Sequence, residues 1–143
     1  MKRTIFIILL TIVFVFGCTK KTLSESAKTI FAINAEEQTV SFKRVSMKEG
    51  IALSRNNPDS IIVDVRRPEE YGSGHIPGAV ILTMEKINEE TAQAVLPDKN
   101  QMILIYCRSG NRSKIAAQML VELGYQNVYE IGGIFDYSGE IEK

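Results

Sequence analysis

The chain has 143 residues, 45% of them hydrophobic, which suffices for one ordinary domain with a buried core. Its 17 basic and 17 acidic residues cancel, and removing a leader that carries Lys2 and Arg3 leaves 15 against 17, a net of −2, so nothing points to a nucleic-acid binder. Two cysteines, Cys18 and Cys107, and one histidine, His75, are too few for a disulfide scaffold or a structural zinc, and no metal site is expected.

The N-terminus reads as an address. Lys2 and Arg3 give a positive start, and Ile5 to Phe16 is apolar apart from Thr11, the pattern of a secretory signal core too short to span a bilayer comfortably as a mature helix. Val15-Phe16-Gly17-Cys18 resembles the bacterial lipobox, in which a small residue precedes a cysteine that is lipidated and becomes the mature N-terminus. The resemblance implies a signal peptide over 1–17 and a lipid on Cys18; the alternative is an uncleaved signal anchor. Either leaves the remainder outside the cytoplasm, held at a membrane. Residues 18–38 are mostly polar and read as a tether, with Lys20 and Lys21 at its start, and the globular domain is expected over 39–143. A lipidated Cys18 would make Cys107 the sole thiol, with no partner for an internal disulfide in an oxidising compartment.

Within the domain, Thr39 to Val45 alternates apolar and polar residues, as a half-buried edge strand does. Ser46 and Glu49 have capping-box spacing and predict a short helix from Met47 to about Ser54, ended by the turn Asn56-Asn57-Pro58-Asp59. Ile61 to Val65 is an apolar run broken only by Asp64, the pattern of a strand buried on both faces of a parallel sheet. Pro68 to Tyr71 reads as one helical turn, Gly72 to Gly78 as an irregular loop and Ala79 to Leu82 as a third strand. A helix is expected over Met84 to Leu96 with Thr83 as its cap, then a strand to Tyr106, a loop, a helix through Leu123 closed by Gly124, and a last strand over Asn127 to Ile131. Strands alternating with helices in this way imply an α/β fold, a parallel sheet covered on both faces, with ligands at the carboxyl ends of the strands.

One stretch carries the chemistry. Met102 to Cys107 is strand-like, Arg108 to Gly110 is a short turn, and the helical pattern begins directly after it. Amides at such a helix start gather partial positive charge and favour anions. Cys107 sits at the mouth of that field, where its thiolate is favoured over the thiol, whose free pKa is about 8.5. Arg108, Ser109, Gly110, Asn111, Arg112 and Ser113 are poor core material and a good anion nest.

The ordered set Asp64-Val65-Arg66, Glu70-Tyr71, Gly74-His75-Ile76-Pro77-Gly78-Ala79, Cys107 to Ser113 and Gly132-Gly133 resembles the signatures of the single-domain rhodanese-like sulfurtransferases, over about Val40 to Gly133. The resemblance implies a three-layer α/β/α fold with a five-stranded parallel sheet of order 1-5-4-2-3 and no cofactor. It also implies a reaction in which Cys107 takes a sulfane sulfur from a small anionic donor such as thiosulfate, holds it as a persulfide and passes it to cyanide or a thiol. In that chemistry the loop amides and Arg112 stabilise the departing anion, Arg108 recruits the donor at the rim, Ser109, Gly110 and Asn111 act through backbone donors, and Ser113 caps the helix or bonds the sulfur. Gly110 is expected at positive φ, and Gly132-Gly133 is expected to let the last loop approach the cradle. Asp64 and Arg66 read as an ion-pair scaffold, His75 as a turn lock rather than a base, and Glu70 as a supporting residue.

The related phosphatases and arsenate reductases place one residue more between their Cys and Arg than the four that separate Cys107 from Arg112, and this smaller ring suits a single sulfur atom. The rival reading is a non-catalytic binding or sulfur-relay module at the membrane surface.

Overall fold

The computed structural model describes residues 41–143. The expected signal peptide at 1–17, the lipidated Cys18 and the tether to residue 38 lie outside the described residues. Among the described residues no helix is long and apolar enough to cross a membrane.

Local sequence signals set the first elements. Strand β1 is Lys43–Arg44, and Ser46 then opens helix α1, Met47–Asn56. Ser46 accepts from the Glu49 amide at 3.2 Å while its own amide donates to the Glu49 carboxylate at 2.9 Å, the reciprocal box that the spacing predicts. Strand β2, Ile61–Asp64, leads into α2, Pro68–Ser73, which starts on the proline. Strand β3 is only Val80–Ile81. Strand β4, Met102–Cys107, helix α4, Asn111–Glu122, and strand β5, Asn127–Gly133, complete the frame, and a short 3-10 turn follows at Ile134–Asp136.

The helix expected over Met84 to Leu96 is two elements, a 3-10 turn at Met84–Lys86 and helix α3 at Glu89–Val95. Thr83 makes no side-chain cap bond. Asn88 and Thr91 instead cap α3 reciprocally, with Thr91 N donating to Asn88 Oδ1 at 3.0 Å and Asn88 N to Thr91 Oγ1 at 3.1 Å. That closed pair holds Asn88 in extended backbone, so a helix cannot run through it, and the break turns Ile87 into the core.

All strand pairs are parallel, in the order β1-β5-β4-β2-β3 implied by the resemblance. Central β4 has Ile103, Leu104, Ile105 and Tyr106 fully buried; each large apolar side chain contributes about 1.5–3 kcal/mol when taken from water. One face packs Val63, Ile103 and Ile105 against Ala116, Ala117 and Leu120 of α4 and Ala92 of α3. The other packs Leu104, Tyr106 and Ile131 against Met47 of α1 and Ile76 and Ala79 of the loop before β3. The carboxyl ends of β2, β4 and β5 therefore open at one edge of the layers, with the loops that carry the sequence motifs.

The tail makes a contact that the sequence does not announce. Glu142 forms an antiparallel bridge with His75, with amide-to-carbonyl distances of 2.9 and 3.0 Å, so the C-terminus straps the loop between α2 and β3.

Candidate active site

Cys107 is the last residue of β4, and three residues separate it from the first turn of α4. The chain reverses at Gly110, whose φ of 90° lies in the left-handed region that glycine adopts without Cβ strain. This turn aims the Gly110 amide at Cys107 Sγ, 3.1 Å away. Gly133 lies in register with Cys107 on β5, and a Cβ there would stand 2.5 Å from the Arg108 carbonyl oxygen. Only a glycine lets β5 pass so close to the cradle backbone.

Cys107 is 1% exposed and free of any disulfide. Burial alone would push its thiol up. The Ser113 hydroxyl and the amides of Ser113, Ser109 and Gly110 outweigh that penalty and hold the thiol below its ordinary range. As a thiol, Cys107 donates toward Ser113 Oγ at 3.6 Å. The sulfur therefore lies at the floor of a ring of amides at the start of α4, and Ser113 Oγ faces it.

Arg112 is held by a carboxylate. Its guanidinium forms a two-pronged bond to Glu70, Nη1 to Oε2 at 2.6 Å and Nη2 to Oε1 at 2.8 Å, and not a bond to the sulfur. The fork-to-fork match of a planar guanidinium and a carboxylate outcompetes a single bond to a thiol. Glu70 is held down to about 2, chiefly by that bond, and its pull keeps Arg112 firmly cationic beside the Cys107 field. Arg108 is exposed at the mouth, its guanidinium 5.2 Å above the ring of Phe135, which is itself 69% exposed. Arg67, Glu69, Glu70, Glu85, Arg108 and Arg112 line an open depression of mixed charge. Ser109 and Asn111 are exposed around the rim.

Asp64 and Arg66 form a buried pair beneath the loop between α2 and β3. Arg66 Nη2 donates to Asp64 Oδ2 at 2.6 Å and to the Gly74 carbonyl at 2.7 Å. Tyr106, which the sequence marks only as a strand end, completes that cluster. Its hydroxyl donates to Asp64 Oδ2 at 2.7 Å and accepts from the Ile76 amide at 3.2 Å, and burial together with Asp64 pushes it well above the usual phenol range. His75 stacks on Tyr71 with centroids 3.8 Å apart, and its Nδ1 lies 3.1 Å from the Tyr71 carbonyl.

Glu130 was also missed. It is 1% exposed, one layer below the cradle, and Ser113 Oγ donates to its Oε1 at 2.7 Å. An acid flanked by Val128, Tyr129 and Ile131 is its signal in the sequence, where Asn127 to Ile131 indicates only a strand. Among the described residues no cluster of His, Cys, Asp and Glu could hold a metal.

A family model described as a rhodanese-like domain matches residues 46–140. The chain belongs to the rhodanese-like domain family. The thiosulfate sulfurtransferase PspE of Escherichia coli (strain K12) is 40% identical over 74 residues, 52% of this chain and 70% of that protein. The thiosulfate sulfurtransferase GlpE of Pseudomonas entomophila (strain L48) is 36% identical over 69% of this chain and 91% of the relative. A solved rhodanese from E. coli, with anions, overlays with a TM-score of 0.55 at 33% identity, covering 59% of this chain and 98% of that one. This rhodanese-like domain is of the enzyme type, with relatives named thiosulfate sulfurtransferase.

Proposed function

We propose that the protein is a sulfurtransferase that carries a sulfane sulfur from a small anionic donor such as thiosulfate, as a Cys107 persulfide, to a thiophilic acceptor. The observation that carries this reading is the free Cys107 sulfur at the floor of the cradle, with the Gly110 amide aimed at it from 3.1 Å and Ser113 Oγ facing it at 3.6 Å. In the first half-reaction the Cys107 thiolate attacks the outer sulfur of thiosulfate. A sulfur–sulfur bond forms at Cys107 as the donor's own sulfur–sulfur bond breaks, and sulfite leaves with the electron pair. The amides that steadied the thiolate steady the persulfide. In the second half-reaction cyanide or a thiolate takes the terminal sulfur, and the electron pair of the broken bond returns to Cys107.

Arg108 recruits the donor at the mouth, and Arg112, oriented by Glu70, supplies a fixed positive field rather than a direct contact to the sulfur. Asp64, Arg66, Glu70 and His75 hold the shape of the loops around it. Mass spectrometry after exposure to thiosulfate is expected to find one added sulfur on the Cys107 peptide, removed by cyanide. No added sulfur in wild type would leave the rival binding-module reading in place. The four-residue spacing to Arg112 favours the transferase over an arsenate reductase or phosphatase, and no turnover of arsenate or an aryl phosphate is expected.

We further propose that the domain works outside the cytoplasm on a lipid anchor at Cys18, supported by Lys2, Arg3, the apolar core and the Gly17-Cys18 pair. Labelled palmitate should enter the wild-type chain and not Cys18→Ser; equal labelling of both would refute the anchor.

A further inference from the structure

Glu130 is a buried acid that the transfer reaction just described leaves unused. Strand β5 carries a bulge here: Ile105 and Cys107 of β4 pair with Glu130 and Gly133, so β5 has one residue more than its neighbour. Bulges beside active sites re-aim side chains. The Glu130 carboxylate turns back to accept from the Gly132 amide at 3.0 Å and from Ser113 Oγ at 2.7 Å, while Arg44 Nε, from exposed β1, reaches Oε2 at 3.2 Å.

The hydroxyl of Ser113 has one hydrogen. In the geometry found, that hydrogen goes to Glu130, and Ser113 Oγ receives the Cys107 thiol hydrogen from the other side. The result is a continuous line, S–H to O–H to carboxylate. Thiolate formation with this line intact would set a lone pair of Ser113 against a bare sulfur anion. It would also place two buried negative charges within about 6.3 Å of each other.

We propose that Glu130 is a positioning residue that stores the Cys107 proton through Ser113, so that the buried site carries one negative charge whether the sulfur is a thiol or a thiolate. The S–H bond breaks as Ser113 Oγ gains that proton, and the original Ser113 O–H bond breaks as Glu130 Oε1 gains the other. Thiol and carboxylate become thiolate and carboxylic acid, and Ser113 ends as a donor to the sulfur. The proton stays on Glu130 while the persulfide is held and returns when Cys107 is restored as a thiol. The groups that face this line are Arg44 on β1, Ser113 on α4, the Gly132 amide on β5 and the Gly110 amide in the cradle, with the Arg112 field acting on the sulfur.

The inference rests on Cys107 as the working sulfur, and its test needs no sulfur donor. The rate of iodoacetamide alkylation is followed across pH in the full chain by mass spectrometry of the Cys107 peptide. A coupled pair titrates in two steps, so wild type is expected to rise, hold a pH-independent plateau, and rise again. Glu130→Gln should lose the plateau and show one step, rising roughly tenfold per pH unit below it, whereas Ser113→Ala, which keeps both charges and breaks the line between them, should keep two steps with the plateau displaced. Arg44→Gln, at an exposed guanidinium, should keep the plateau and raise it, because the cation that pairs with the Glu130 carboxylate is gone. A single step shared by wild type and Glu130→Gln, or a plateau unmoved in Arg44→Gln, would overturn the proposal; the second comparison stands even if Glu130→Gln does not fold. Absence of sulfur loading together with a two-step profile would sink the transferase reading and leave the relay.

Discussion

Replacing Gly133 with alanine tests whether the amide ring, rather than the mere presence of a cysteine, activates the site. A Cβ at Gly133 would stand 2.5 Å from the Arg108 oxygen, 2.6 Å from Ser109 Cα and 2.8 Å from the Arg108 carbonyl carbon, all cradle backbone. Reaching ordinary contact at 3.4 Å requires a shift of about 0.9 Å. Taken along the line from the Gly110 amide to Sγ, that shift lengthens the 3.1 Å bond to about 4 Å, beyond hydrogen bonding. A hydrogen bond to a charged group contributes about 1.5–3 kcal/mol, so the Cys107 thiol should rise by about one to two pH units. Overpacking should also cost about 1–3 kcal/mol of stability. The assays are the pH dependence of Cys107 alkylation and the thermal midpoint. Gly72→Ala is the control, since its Cβ meets nothing within 4 Å and it lies in α2, where alanine should be neutral or stabilising by up to about 1 kcal/mol. A Gly133→Ala protein with the wild-type alkylation profile and midpoint would refute the idea that β5 fixes the cradle.

Three further outcomes are expected. Tyr106→Phe removes the bond to Asp64 and strands the Ile76 amide, so it should cost about 3 kcal/mol, or about 12 °C in midpoint, with the Cys107 alkylation profile unchanged. Glu70, held near 2 in the fold against 4.5 when free, contributes stability that is full above about pH 4.5 and is lost as pH falls toward 2. Acid unfolding should therefore be shallower in Glu70→Gln, as urea midpoints across that range would show. Deleting Ile141–Lys143 removes the two His75–Glu142 backbone bonds and the Glu142 bond to the Gly78 amide, so it should cost about 1–3 kcal/mol and speed hydrogen exchange at the His75 amide.

What the sequence revealed and what it hid divide by distance along the chain. The Ser46–Glu49 box, the positive φ of Gly110 and the strand-turn-helix around Cys107 are local, and each follows from residues a few positions apart. The four-residue spacing from Cys107 to Arg112 is equally local, yet the partner of Arg112 is Glu70, 42 positions away, and no spacing rule could pair them. Tyr106 is also 42 positions from Asp64, Ser113 is 17 from Glu130, and Gly78 is 64 from Glu142; these contacts exist only once the sheet order brings the strand ends together. The broken helix at Asn88 is a different kind of miss. Its Asn-x-x-Thr cap was present locally, but the apolar pattern from Met84 onward masked a second helix start.

The outermost strands of the sheet, Lys43–Arg44 and Val80–Ile81, are two residues each. Rims so short, one of them built of two cations, offer almost no run of free backbone on which another chain could template. Copies crowded together should thus resist fibrous stacking, and any macromolecular sulfur acceptor must be recognised by side chains around the opening rather than by adding a strand.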